Sequence, residues 1–348
     1  MCASIFEYDE CIFSSCTKMK IQNPDLDFMY TTIMDHHPGI YNLQDPNFKN
    51  NLDSAYRKSK EFFAQTDDVN VEKKILEDFA RSFDDPHLWI HWYSNEELVP
   101  TSNQIVPSLE VNLLKDQVVW VALPTFDFNA AEQKEFQNLL KVLPKLRNKK
   151  IIIFDLRGNQ GGNSEQGSLI INHLFGEKYA EEKRNEARSS ITVDWRATPD
   201  NLSHINLIYE RYQSSYFKDI VEGIKQSIRQ NKPYYHEISS QVMTDGSKAA
   251  HTVKANIIVV IDSKNISAAL DFIDELKMMG PRVKLIGQKT RADRLYMEVR
   301  AVSLPSGLGT FSFPIKVYRN RARKDNESYF PDLESQTTDT EKLLEFIL

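Results

Sequence analysis

Cysteine is nearly missing: Cys2, Cys11 and Cys16 are the three, all within the first sixteen positions of a 348-residue chain. That excludes a disulfide-stapled scaffold, and a cysteine-ligated metal in the main body. Long apolar runs are missing too. No window approaches the roughly 18 apolar residues of a membrane helix, so no span is expected. Residues 1–22 contain Cys11-Ile12-Phe13, but Glu7, Asp9 and Glu10 stand where a signal peptide needs a basic start and an unbroken apolar stretch. They read as a poorly structured leader, with the cytoplasm as the favoured compartment. There is also no basic block. The 43 Lys and Arg are interspersed with 49 Asp and Glu, for a formal net charge of −6. Phosphate neutralisation needs clustered cations, so nucleic acid is not expected as a partner.

What is present is enough apolar content, 41%, to bury a large core in one big domain or two moderate ones. From Asp25 to Phe83 apolar residues recur at three- and four-residue spacing, broken at Pro38-Gly39 and Asp45-Pro46, which predicts an N-terminal helical domain over 23–95. Leu88 to Tyr93 reads as a strand. Leu109–Leu114 and Gln117–Leu123 read as a hairpin around Lys115-Asp116, and residues 131–147 as an amphipathic helix interrupted or ended near Pro144. Ile151 to Leu156 is an unbroken apolar run of the kind found in strands buried on both faces. A glycine loop, Arg157-Gly158-Asn159-Gln160-Gly161-Gly162, and a helix through Leu169 to Leu174 follow. The same order recurs as strand 257–261, turn 262–265, helix 267–279 and strand 283–286. Two such units predict a layered α/β domain over 96–348, with a helical insertion at 200–231 carrying Tyr209, Tyr212, Tyr216 and Phe217.

Ser267 stands at the end of a buried strand and the start of a helix, where unpaired N–H groups favour developing negative charge. Serine at a helix start is also among the commonest caps, and alone that is the stronger reading. Gly161-Gly162 lets backbone approach a ligand and offers an N–H for half of an oxyanion hole; a plain turn needing positive φ explains it equally. The spacing fits neither a dinucleotide fingerprint nor a phosphate-binding loop. His87, after Asp84-Asp85-Pro86, is of the type best suited to activate a serine near neutral pH, and His36, His37 and His91 compete for that role. His87 and His91 share a four-residue spacing that gathers ligands only on a helix, whereas this stretch reads as strand, so no metal or cofactor is expected.

In this order the pieces resemble the S41 serine peptidases, which include the C-terminal processing proteases, tricorn-like peptidases and retinoid-binding repeat domains. The resemblance spans roughly residues 25–335. It rests on Asp85-Pro86-His87, on Phe154-Asp155-Leu156-Arg157-Gly158-Asn159-Gln160-Gly161-Gly162 and on Asn265-Ile266-Ser267-Ala268-Ala269, continuing through Leu285 to Thr290, Leu304-Pro305-Ser306-Gly307 and Pro331-Asp332-Leu333. It implies a crotonase-like α/β core, a peptide or protein substrate, Ser267 as nucleophile, and an oxyanion hole from Ala268 N–H with Gly161 or Gly162. Processing proteases of the family place a lysine base shortly after the threonine matched by Thr290. Here Arg291, Ala292, Asp293 and Arg294 follow, so the resemblance points instead to its histidine-dependent branch, with His87 as base and Glu298, or alternatively Asp85, completing the relay. The short stretch between Tyr93 and Val111 leaves no room for a PDZ module. Two other readings share the fold: a non-catalytic carrier of an apolar ligand, and an acyl-CoA enzyme binding CoA at the glycine loop.

Overall fold

A computed structural model describes residues 23–93, 108–114, 117–188, 191–237, 253–280 and 283–347; the leader and the Lys115-Asp116 turn lie outside them. The first helix, α1 (Pro24–His36), starts where the Asn23 side chain accepts from Asp25 N–H and Leu26 N–H and proline fills the first turn. After a 3₁₀ turn (Pro38–Tyr41) come α2 (Phe48–Phe63) and α3 (Val69–Arg81), the latter capped by Asp68, then strand β1 (Trp89–Trp92). Strands β2 (Glu110–Leu113) and β3 (Val118–Ala122) form the expected hairpin. Helix α4 (Ala130–Leu146) runs through Pro144 rather than ending there. A proline there forgoes one helical hydrogen bond, to the carbonyl four residues before it, and the last turn closes around that single loss.

There follow β4 (Ile151–Asp155), α5 (Ser164–Phe175), α6 (Glu177–Arg188), β5 (Thr192–Arg196), α7 (Pro199–Tyr212), α8 (Ser215–Arg229) and β6 (Tyr234–Glu237). The chain continues through β7 (Asn256–Ile261), α9 (Ala268–Met278), β8 (Val283–Gly287), β9 (Tyr296–Ser303), β10 (Gly309–Arg319), β11 (Leu333–Glu334) and α10 (Thr340–Ile347). The architecture is mixed α/β.

One sheet has the order β11-β8-β7-β4-β3-β2, parallel except for the β2–β3 pair. Its central strands are apolar on both faces because both faces are covered. Phe154 and Val259 point into a core shared with α4, α5 and α9, while Ile153, Ile258 and Val260 pack with Leu343 of α10. Arg157 ties that last helix down, donating to Thr338 O (2.8 Å) and Thr340 Oγ1 (2.9 Å) while gripping Asp155.

The second sheet is antiparallel and built on β10, which pairs with β9 along one edge and with β1 and then β5 along the other; β6 follows β5. Pro314 is tolerated in so central a strand because it falls between the β1-paired residues 309–312 and the β5-paired residues 316–319. Leu26, Met29 and Ile33 of α1, Phe79 of α3, and Ile205, Ile220 and Ile224 of α7 and α8 share one core with Trp195, Phe311 and Phe313 of this sheet. Among the described residues no helix is long and apolar enough to cross a membrane.

Candidate active site

Asp155 at the end of β4 lies beside Val260 near the end of β7, so the loops leaving these parallel strands emerge side by side. Ligands bind at such carboxyl ends in open α/β sheets. Two buried asparagines fasten the loops together. Asn159 donates from its side chain to Leu123 O (2.8 Å) and accepts from Gly161 N–H (2.8 Å). Asn265 donates to Leu156 O and Asn159 O, and accepts from Asp262 N–H (2.8 Å).

This stitching presses Gly161 onto the serine turn. A Cβ on Gly161 would meet Ser267 Cβ at 2.9 Å and Ala268 N at 3.2 Å. Gly161 and Gly162 both have positive φ, 97° and 129°, and a Cβ on Gly162 would stand 2.3 Å from the Phe126 carbonyl carbon. Close approach and left-handed backbone therefore both require glycine. The Gly161 N–H is already given to Asn159; among the described residues those of Gly162 and Ala268 have no acceptor.

Ser267 is half-buried, with φ 57° and ψ −126°, and its side chain makes no capping hydrogen bond to α9. The helix-cap reading thus fails. A non-glycine residue held there costs on the order of 1–3 kcal/mol and persists only where its surroundings impose it.

His87 is placed by a local turn: Asp85 Oδ1 accepts its backbone N–H (2.9 Å) and lies 3.2 Å from its Nδ1. A second carboxylate, that of the fully buried Asp293, stands 3.6 Å from the same nitrogen. Two acids at Nδ1 put the ring proton there and leave Nε2 as the basic atom. Nε2 is buried with no hydrogen-bond partner among the described residues, and no hydrogen bond joins it to Ser267. Catalytic hydrogen bonds are often long before substrate arrives. Burial pulls the His87 pKa down, but the Asp85 hydrogen bond and the charges of Asp85, Asp293 and Asp271 outweigh it, and the net shift is upward. Asp293 is pushed up to about 6 by burial, against the opposing charges of His87 and Arg323.

Ser267 and His87 line one cavity of about 1190 Å³. Gly162, Asn163 and Ser164 form its rim beside the serine, and Leu207, Ile208, Tyr216 and Phe217 bring the expected helical insertion in as a wall. Of the competing histidines, His36 bonds Thr198, His37 is buried against Phe48 and Tyr296, and His91 is exposed on β1. Glu298 is also on the wall, but its carboxylate pairs with Lys316 at 3.7 Å, whereas the acids at His87 are Asp85 and Asp293. Its φ of 57° breaks strand alternation, so consecutive Met297, Glu298 and Val299 all face the cavity. Sequence reasoning missed Asp293, although it lies in the very stretch searched for a lysine.

The chain matches the model of peptidase family S41 over residues 117–335. Among solved structures it is similar to mature CPAF at 10% identity and TM-score 0.57, covering 89% of this chain and 91% of that one. The same protein complexed with lactacystin gives 12% identity, TM-score 0.56 and coverage of 89% and 92%. A candidate peptidase from Parabacteroides merdae ATCC 43184 gives 16%, 0.51, and 93% of each chain. At these identities the likeness concerns the fold. Comparison with the curated proteins finds no match.

Proposed function

The chain belongs to peptidase family S41, and on that premise we propose that it is a serine peptidase on a crotonase-like core, cleaving peptide bonds through an acyl-enzyme. The observation that carries this reading is the strained, uncapped Ser267 opening into the same cavity as a buried His87 whose Nε2 has no hydrogen-bond partner among the described residues. In the proposed cycle Ser267 Oγ attacks the scissile carbonyl carbon and its proton passes to His87 Nε2. The oxyanion is taken by the unengaged N–H groups of Ala268 and Gly162. Collapse breaks the C–N bond, the amine leaves with the proton from Nε2, and water repeats the sequence on the ester.

Asp293 together with Asp85 orients the imidazole in this scheme, in place of Glu298, whose partner is Lys316. A carrier of apolar ligands is the less favoured reading, because His87, Glu237, Glu298 and Lys316 bring charged groups into the cavity beside its apolar wall. A fluorophosphonate probe with dye-labelled casein tests the proposal. Wild type should be labelled at Ser267 and cleave casein, and Ser267→Ala should do neither; full casein cleavage by the alanine variant would overturn it.

A further inference from the structure

The buried ion cluster behind the cavity has a member that reaches both halves of the site. Arg323, its side chain 1% exposed, lies after β10 and directs Nε at Asp274 Oδ2 and Nη2 at Asp271 Oδ1, both at 3.3 Å. Both aspartates belong to α9, the helix Ser267 opens. Asp271 donates its N–H to Ser267 O (3.1 Å), and its carboxylate accepts from Ser164 Oγ (2.8 Å) just beyond the glycine loop. The remaining arm, Nη1, stands 3.5 Å from Asp293 Oδ2 as an ion pair without a hydrogen bond, and among the described residues neither that nitrogen nor the Asp293 oxygens has a hydrogen-bond partner. Arg321 also binds Asp271 and Asp274, without an ion pair to Asp293. We infer that Arg323 is a positioning residue of the reaction, locking the helix that carries Ser267 to the carboxylate that orients His87.

The inference rests on the serine-peptidase reading. Its physical content is that one guanidinium spans three carboxylates and so keeps a cation beside Asp293. Asp293 faces His87 and Asp85 from the turn before β1, Asp271 from α9, and Arg323 from beyond β10. Of these, His87 and Arg323 favour its ionised form and the two aspartates oppose it. Without Arg323 the carboxyl holds its proton to higher pH, and a neutral carboxyl holds the Nδ1 proton of His87 less well.

The rate of fluorophosphonate labelling at Ser267 as a function of pH reads this without knowledge of the natural substrate. Arg323→Gln should move the acid limb up by about one pH unit, the scale of a lost neighbouring charge, with probe affinity little changed. Arg323→Lys, keeping the cation, should restore most of the wild-type limb. Arg321→Gln, which loses the tie to α9 but no charge at Asp293, should leave the limb in place. A folded Arg323→Gln enzyme with the wild-type limb overturns the inference, as does an equal shift in Arg321→Gln. If Arg323→Gln does not fold, Asp293→Asn is compared with the Asp293→Asn/Arg323→Gln double variant. Removing both charges avoids stranding one buried carboxylate. Coincident limbs support action through Asp293, and a further shift in the double variant overturns it. Ser267→Ala silent beside an unmoved Arg323→Gln limb refutes the inference alone; labelling or cleavage that survives Ser267→Ala removes both readings.

Discussion

Gly161 lies against Ser267 so closely that a methyl group on it would come within 2.9 Å of the serine Cβ. Gly161→Ala must therefore displace the serine turn as well as strain a backbone at φ 97°. Loss of oxyanion geometry typically costs about 10²- to 10³-fold in rate. Casein turnover should fall at least that far in a variant that still folds, as circular dichroism would verify.

The pH dependence of labelling should report His87. A general base works when neutral, and this imidazole's pKa is raised above the ordinary 6.5 by Asp85, Asp293 and Asp271 despite burial. The rate should therefore be lost as pH falls through a midpoint above 6.5. A midpoint below that value contradicts the assignment.

Asp293→Asn should separate stability from activity. A carboxyl whose folded pKa is raised to about 6 favours folding only while protonated, so its contribution is present below the unfolded value of 3.8 and lost as pH rises through 6. The asparagine variant should thus unfold in urea at a higher midpoint than wild type at pH 7, while labelling slows by about 10-fold or more because only Asp85 of the two carboxylates remains at Nδ1. A less stable, fully active variant would refute both halves.

Glu298→Gln separates the two acid assignments. Because this carboxylate pairs with Lys316, labelling of Ser267 should stay within about threefold of wild type. A fall comparable to that of Asp293→Asn would return the catalytic role to Glu298.

Asn159→Ala should unfold more readily by about 2–3 kcal/mol, since it leaves the buried Leu123 carbonyl and Gly161 N–H without their partner. Urea titration measures this directly. Activity should fall as well, because the same side chain sets the glycine loop.

Much of this was readable in the chain, and the boundary follows interaction range. The glycine loop, the serine turn and His87 were found because each is set by a local strand–turn–helix or Asx-turn grammar. The parallel strands showed as apolar runs because both faces are covered. Asp293 and Arg323 carry no local signal, since most Asp and Arg are solvated; Asp293 is buried against His87 from the far N-terminal side of the chain, and Arg323 against Asp271 and Asp274 of α9. Of the antiparallel sheet, β1 was legible and the central β10 was not. β10 contains a proline that argues against a central strand, and only the change of partner from β1 to β5 beside it makes Pro314 acceptable.

That central role of β10 also bears on biosynthesis. Strands β1 and β9 wait for residues 309–319 before they can pair, the β5–β6 pair waits for them to join the sheet, and Arg323 follows later still. A chain growing on the ribosome presents His87 and then Ser267 before it holds residues 309–319, the strand that gathers the second sheet. Contacts so distant in sequence form slowly. On the serine-peptidase reading, Ser267 and His87 should therefore meet in a working site only after residues 309–319 have joined the second sheet.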